Sequence, residues 1–409
     1  MRQSKLFPGT KKQAPADAQS INHKLLVRAG FIDQLMAGSW TLLPLGKKVV
    51  TKIEDIIREE LDKIGAQEVL MPLLHPKSIW NETGRWETAS EIMYKLTDVR
   101  KKDYALSFTH EEIFLDLARK EIKSYQDLPI ALYHFSTKFR NELRAKSGIL
   151  RGREFLMKDL YSLHANEKDL DEFYWKVAEA YKNVFKRIGF DFYITEAGGG
   201  VFTQNNTHEF QVVAEGGEDT IYVCDSCDWA QNQEIFELEA GDQCPDCKSG
   251  TIKEYKSIEV GNIFRFGTYY SEKMNVNFVD ESGVKQYPYF GSYGIGTSRV
   301  MGAWVEISHD EKGIVWPENI SPFTVHLIKL PGGEHANEIY DALVKQSIEI
   351  LYDDRDVNTG EKFADSDLIG IPIRLVVSQK TGDKIEFKYR NSDKVELLSL
   401  DEVLQKLKS

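Results

Sequence analysis

Cysteine is scarce in this chain of 409 residues: there are four, and all fall between positions 224 and 247. A small secreted protein spreads its cysteines through the fold as a disulfide framework, and this chain does not. Long apolar runs are missing too. No stretch approaches the roughly 20 residues that a membrane helix needs. The opening Met1-Arg2-Gln3-Ser4-Lys5 leads into no apolar segment of the secretory kind. The expected setting is cytoplasmic, with no membrane partner. Positive charge is in deficit, with 52 Lys and Arg against 64 Asp and Glu and a formal net charge of −12. Indiscriminate coating of nucleic acid takes a broad basic surface and is excluded; a local basic face for RNA is not. The sequence also lacks internal repeats, low-complexity segments and any Ser/His/Asp or Cys/His set suited to nucleophilic catalysis.

What is present fits a soluble globular protein of two or three domains, 42% hydrophobic and 28% charged. The first 20 or so residues read as an irregular arm, and apolar spacing predicts a helix over 20–37. A clear amphipathic helix follows over 46–64, with Val49, Ile53, Ile56, Ile57 and Leu61 as its stripe and Gly65 at its end. A strand over 68–74 contains Pro72, which belongs at an edge or bulge. After a helix over 111–122, the stretches 131–139 and 155–163 read as an antiparallel hairpin with a polar tip. A long helix covers 167–188. The segment 291–307 reads as a glycine-rich strand end running into a helix. Two prolines near 317–322 mark a domain boundary, and beyond it strands and helices alternate as in a small α/β domain.

Three groups of residues carry chemistry. At the hairpin, Arg140 and Glu142 lie two apart, and Arg151, Arg153 and Phe155 open the return strand. Such an arginine grips a carboxylate or phosphate through two hydrogen bonds, and such a carboxylate accepts from an exocyclic amine. Taken alone, the pair reads equally as a structural ion pair. Second, Gly291-Ser292-Tyr293-Gly294-Ile295-Gly296 followed by Arg299 permits close approach of a ligand to backbone, or is simply a tight turn packed on a helix. Third, Cys224-x-x-Cys227 and Cys244-x-x-Cys247 have the separation of a closed, tetrahedral, structural Zn²⁺ site. Free thiols left in a degenerate ribbon are the alternative.

Taken together, Phe139-Arg140-Asn141-Glu142 and Gly294-Ile295-Gly296-Thr297-Ser298-Arg299 resemble motifs 2 and 3 of class II aminoacyl-tRNA synthetases. The helix and strand ending at Pro72 resemble motif 1, the dimer-forming element of that class. Further blocks resemble the bacterial prolyl-tRNA synthetases: Gly84-Arg85-Trp86, Thr109-His110-Glu111-Glu112, Arg153-Glu154-Phe155-Leu156-Met157-Lys158-Asp159, His208-Glu209-Phe210 and Gly313-Ile314-Val315-Trp316-Pro317. The resemblance covers nearly the whole chain and implies an α+β class II catalytic domain over 1–320, an antiparallel sheet flanked by helices. Motif 1 would fall at about 46–76, motif 2 at 131–163 and motif 3 at 289–307. A zinc-ribbon-like insertion at 218–257 and a C-terminal α/β anticodon-binding domain at 323–409 complete it. Threonyl or seryl specificity, a regulatory synthetase-like protein and a zinc-ribbon nucleic-acid module are rival readings. The first conflicts with the Thr-His-Glu-Glu block and the second with the presence of Arg140, Glu142 and Arg299. The third accounts for only a short stretch.

The resemblance implies ATP-dependent attachment of proline to tRNA(Pro) through prolyl-adenylate. Arg140 and Arg299 are the implied catalytic residues. Arg140, Glu142, Arg151, Phe155, Glu259 and Arg299 would bind ATP with Mg²⁺. Thr109, Glu111, Arg140, Met157, Asp159, Tyr161, His208 and Phe210 would bind proline. Arg144 would contact the tRNA acceptor end and Asp354 and Arg355 the anticodon. Departures from the family pattern are Arg144-Ala145-Lys146 at the hairpin tip, Ser107-Phe108 where Gly-Pro is usual, and Leu160. A homodimer is implied. About 40 residues separate the blocks at Gly217 and Ile258, too few for the editing domain common in bacterial relatives. A separate deacylase is therefore an expected partner.

Overall fold

The computed structural model describes residues 1–143, 145, 147–199 and 206–408. It divides into two compact units. One comprises Met36–Ser39 and Glu54–Ala303; the other comprises Met1–Leu35, Trp40–Ile53 and Trp304–Ser409.

The first unit is built on a nine-stranded sheet. Its strands, numbered along the chain within the sheet, are β1 (Gln67–Glu68), β2 (Ile130–Phe139), β3 (Glu154–His164), β4 (Tyr193–Ala197), β5 (Thr207–Val213), β6 (Asp219–Cys224), β7 (Ala230–Asn232), β8 (Ile252–Gly267) and β9 (Tyr289–Ile295). Their spatial order is β5-β4-β7-β6-β8-β9-β3-β2-β1, with β5 also pairing β8. The pairs β1–β2 and β4–β7 are parallel. The central pairs β2–β3, β3–β9 and β8–β9 are antiparallel. The hairpin read from the sequence is this β2–β3 pair, in register from Ile130↔Leu163 to Phe139↔Glu154.

Alternation along each strand gives the sheet two faces. One packs on the helix Glu167–Ile188, capped by the Asn166 side chain and closed by Gly189. Tyr174, Tyr181, Val184 and Phe185 of that helix are fully buried. Phe210 of β5 lies 5.3 Å from both Tyr181 and Phe185, ring to ring. Each such side chain contributes about 1.5–3 kcal/mol on burial, so this face fixes the sheet and leaves the other free for polar work.

Two expectations need correction. The helix predicted over 20–37 stops at Arg28. Gly30 takes φ +77, a left-handed conformation that ends the helix, and Ile32–Met36 and Ser39–Leu42 form a hairpin instead. The strand predicted over 68–74 is split. Gln67–Glu68 joins the large sheet, and Leu74–Pro76 joins a separate three-stranded one. Pro72, having no N–H, interrupts the ladder between them.

The second unit carries a five-stranded sheet: β10 (Val325–Lys329), β11 (Ile350–Asp353), β12 (Ile373–Val377), β13 (Ile385–Tyr389) and β14 (Val395–Leu398), in the order β11-β10-β12-β13-β14. The β10–β11 and β10–β12 pairs are parallel, and the last two pairs are antiparallel. The helices Ala336–Lys345, Thr359–Ile369 and Leu400–Lys406 accompany it. Among the described residues no helix is long and apolar enough to cross a membrane.

Candidate active site

The polar face of the large sheet forms two adjoining clefts. The first, about 320 Å³, is lined by Arg140, Glu142, Arg151, Phe155, Asp219, Glu259 and Arg299, among others. The second, about 240 Å³, is lined by Thr109, Glu111, Met157, Asp159, Glu209, Asn262 and Ser292. Arg140, Phe155, Glu259 and Arg299 line both. Residues far apart in sequence meet because β2, β3, β9 and β8 are neighbours in that order.

In the first cleft, Arg140 lies with its guanidinium 5.2 Å from the centre of the Phe155 ring. Burial and the nearby Arg299 both make its positive charge harder to hold, so the cleft favours an anionic guest. Arg299 donates to the Leu150 carbonyl at 2.9 Å and to the Glu259 carboxylate at 3.0 Å. Arg151 bridges Glu142 at 2.9 Å and Glu218 at 2.8 Å. These three ion pairs line the first cleft with both signs of charge.

In the second cleft, Glu111 accepts from Thr109 Oγ1 at 2.6 Å, from Ser292 Oγ at 3.2 Å and from Arg85 at 3.1 Å. Glu111 is the second residue after Thr109 and opens the helix Glu111–Glu121, whose first turn favours a carboxylate. Asp159 forms the floor. Burial alone would raise its pKa, but Lys138 and then His134 overcome that and hold the carboxyl well below the usual range. His110, His134 and Asp159 stand close enough together to ligate a metal. Lys138 Nζ, however, lies between them, ion-paired to Asp159 and 2.9 Å from His110 Nδ1, so an ammonium takes the place a metal would have.

Three of the expected proline-site residues do not face a cleft. His208 bonds Tyr174 Oη at 2.6 Å and Phe210 packs on the long helix, so both point to the opposite face. The residue between them, Glu209, is the one that lines the cleft, as strand alternation requires. Tyr161 is fully buried behind the site, its Oη accepting from the His110 N–H at 3.0 Å. Arg144 lies outside the described residues. In the second unit, Arg355 is bound to Asp353 and to Asp365, and Asp354 accepts from the Ser4 N–H and hydroxyl.

Sequence reasoning missed Glu209, Asp219 and Arg85. Burial and then Glu259 push Glu209 up to about 8, and they raise Asp219 as well. Gln211 donates to both carboxylates, at 2.9 and 3.1 Å. Counting in twos from the quoted His208-Glu209-Phe210 block was the available signal. Glu259 and Asp219 supply oxygen ligands of the kind that suits Mg²⁺.

The four cysteines converge at the far end of β6 and β8. Cys224–Cys247 and Cys227–Cys244 are each 3.7 Å apart, sulfur to sulfur. A tetrahedron with Zn–S bonds of about 2.3 Å has edges of about 3.8 Å. Two backbone N–H groups, of Ser226 and Gly250, donate to Cys224 and Cys247 at 3.3 Å. A Cβ on Gly250 would come within 2.2 Å of Cys224 Sγ, so only glycine leaves room there. The four thiols can hold zinc.

Residues 94–308 match the family described as tRNA synthetase class II core domain (G, H, P, S and T), and residues 324–409 match the anticodon binding domain. The proline–tRNA ligase of Geobacillus sp. (strain WCH70) is 34% identical over 563 aligned positions, which cover 100% of this chain and 99% of the relative. That of Halothermothrix orenii is 33% identical over 562, again 100% and 99%. The first alignment leaves 154 positions (563 − 409) with no residue in this chain. Among solved structures, the prolyl-tRNA synthetase of Giardia lamblia in complex with prolyl-adenylate superposes with a TM-score of 0.77, at 19% identity. It covers 93% of this chain and 74% of that one. The enzyme from Cryptosporidium parvum complexed with halofuginone and AMPPNP gives 0.77 at 18% identity, with 95% and 76% covered. At such identities the likeness is one of fold.

Proposed function

The chain belongs to the class II aminoacyl-tRNA synthetases and, within them, to the proline–tRNA ligases, in a form without the inserted domain; from that premise we propose that it works in two steps on the two adjoining clefts. ATP with Mg²⁺ takes the first cleft and proline the second. A carboxylate oxygen of proline attacks the α-phosphorus in line. The bond to the bridging oxygen breaks, and pyrophosphate leaves with the electron pair. The terminal ribose hydroxyl of tRNA(Pro) then attacks the carbonyl of prolyl-adenylate. AMP departs, and the hydroxyl proton passes to solvent. Neither step needs a covalent nucleophile; both rest on positioning and charge stabilisation.

The observation that carries this reading is that Arg140, Phe155, Glu259 and Arg299 line both clefts. The reacting carboxylate and phosphate meet at that shared wall. Arg140 neutralises charge on the α-phosphate. Phe155 and Arg299 enclose the adenine, a stacking and cation–π arrangement, while Glu142 accepts from its amine and Arg151 contacts the phosphates. Glu259 and Asp219 would hold Mg²⁺, which would supply charge neutralisation at the phosphates. Glu111 and Thr109 bind the imino group, with Met157 and Asp159 shaping the pocket. The zinc is structural. Leu70 and Leu74, in the segment that follows the helix Pro44–Lys63, are 81% and 52% exposed, and exposed apolar residues of this kind fit a homodimer face. The setting is cytoplasmic. ATP–pyrophosphate exchange with each amino acid in turn tests the reading. Proline-dependent exchange with a weaker alanine signal is expected; no exchange with any amino acid from folded, zinc-loaded protein would overturn it.

A further inference from the structure

Glu111 of the second cleft is tied from behind into an ionic group whose other members, Arg85 and Glu112, line neither cleft. Arg85 is 6% exposed, Glu111 3% and Glu112 0%. One guanidinium nitrogen of Arg85 donates to Glu111 Oε2 at 3.1 Å and to Glu112 at 3.2 and 3.1 Å. Thr83 Oγ1 donates to Glu112 at 2.7 Å. The guanidinium is walled by aromatic rings, with centroids at 4.9 Å for Phe108 and 5.6 Å for Trp80 and Tyr270. Water has little access, and a buried arginine persists only where carboxylates match it.

We propose that Arg85 is a positioning residue of the amino-acid site: it clamps Glu111 in the cleft wall, with Glu112 as the buried second acceptor that keeps the guanidinium in place. This rests on the reading of Glu111 as the acceptor for the imino group. Two carboxylates share one guanidinium, so the group is short of one positive charge. A cationic amine in the cleft fills that shortage, and a neutral or anionic guest does not. Burial, reinforced by Glu111 and opposed by Arg85, raises Glu112 above the usual carboxyl range, as such a shortage demands. Thr109 and Arg85 hold Oε2 of Glu111 and Ser292 holds one side of Oε1, so its orientation is determined on three sides and one acceptor position of about four remains for the guest. Arg85 touches neither substrate; it acts through Glu111.

The test is ATP–pyrophosphate exchange on the full chain, with proline varied at saturating ATP and then ATP varied at saturating proline. The variants are Glu111→Gln, Arg85→Met and Arg85→Lys, each checked by thermal melting. Hydrogen bonds to charged groups of this kind correspond to a change on the order of 10–100-fold in KM for proline, expected for Glu111→Gln and Arg85→Met alike. KM for ATP should move by less than about threefold, since only one substrate site is disturbed. Arg85→Lys, which keeps the charge, should recover part of the proline affinity. If Arg85→Met does not fold, the double variant Arg85→Met with Glu112→Gln, which restores the charge count, replaces it. A folded Arg85 variant with the parental proline KM, beside a Glu111→Gln variant with a raised one, would overturn the role of Arg85. Equal losses for both substrates would likewise reduce it to a structural part. A parental proline KM in Glu111→Gln would instead overturn the assignment of the amino-acid site itself.

Discussion

At the scale of single residues, the site is governed by charges that burial makes expensive and neighbours make tolerable. Glu209 shows the balance with the wrong sign for stability. Its carboxyl is raised from 4.5 to about 8 by burial and by Glu259. Between those values the folded chain holds a proton that the unfolded chain releases. Raising the pH through that window must therefore lower stability. Melting temperatures of the parent measured from about pH 4.5 to about pH 8 should fall with pH more steeply than those of Glu209→Gln, in which the group cannot titrate. Parallel curves would show that Glu209 is ionised throughout. The residues legible in the sequence here were those in dense motif blocks: Arg140, Glu142, Phe155, Arg299, Thr109 and Glu111. His208 and Phe210 came from an equally recognisable block but point to the opposite face. A block marks a strand as important without saying which of its alternate side chains faces the ligand.

At the scale of elements, two strands connect the cysteines to the cleft. β6 begins at Asp219 and ends at Cys224, and β8 starts opposite it, Cys224 pairing with Ile252. The same strand β8 continues to Glu259 and Arg265. A closed zinc site at one end would thus brace two strands that further along supply Asp219 and Glu259 to the cleft. Purified protein should contain about one zinc per chain, the stoichiometry of a four-thiolate site. Cys244→Ser, which alters a fully buried ligand, should bring zinc well below that by mass spectrometry and lower the melting temperature. Full zinc in that variant would show that the cysteines do not form the site. Element boundaries were legible wherever a helix carried both a stripe and a cap. Glu167–Ile188 matches its expected span because Asn166 and Gly189 bracket it. The misread region 20–37 has apolar residues at helix-like steps, yet Gly30 and Gly38 both take positive φ and turn the chain into a hairpin.

At the scale of the whole molecule, the consequential feature is what lies between motifs 2 and 3. The chain has a compact cysteine ribbon there, and over its whole length the alignment with the Geobacillus relative leaves 154 positions (563 − 409) without a counterpart. A pocket that admits proline discriminates against a smaller amino acid by only about 1–3 kcal/mol per missing methylene. Alanine should therefore be activated and transferred at a measurable rate. The purified chain alone should leave alanyl-tRNA(Pro) intact in a deacylation assay, while a separate hydrolase clears it. Rapid hydrolysis by this chain would refute that division of labour.

The sequence by itself determined the family, the order of the motifs, the four-cysteine knuckles and most helices, because these depend on local spacing and on residue types that have few other uses. Only the tertiary structure decided which side chains share a cleft. The pleat of β5 put Glu209 rather than Phe210 in the wall of the cleft. Lateral pairing of β6 with β8 brought Asp219 beside Glu259, and Arg85 met Glu111 and Glu112 in a pocket walled by Trp80, Phe108 and Tyr270. The last two depend on contacts between segments distant in the chain; for β5 the alternation is local, but which of its two faces packs on the long helix is decided by tertiary contact.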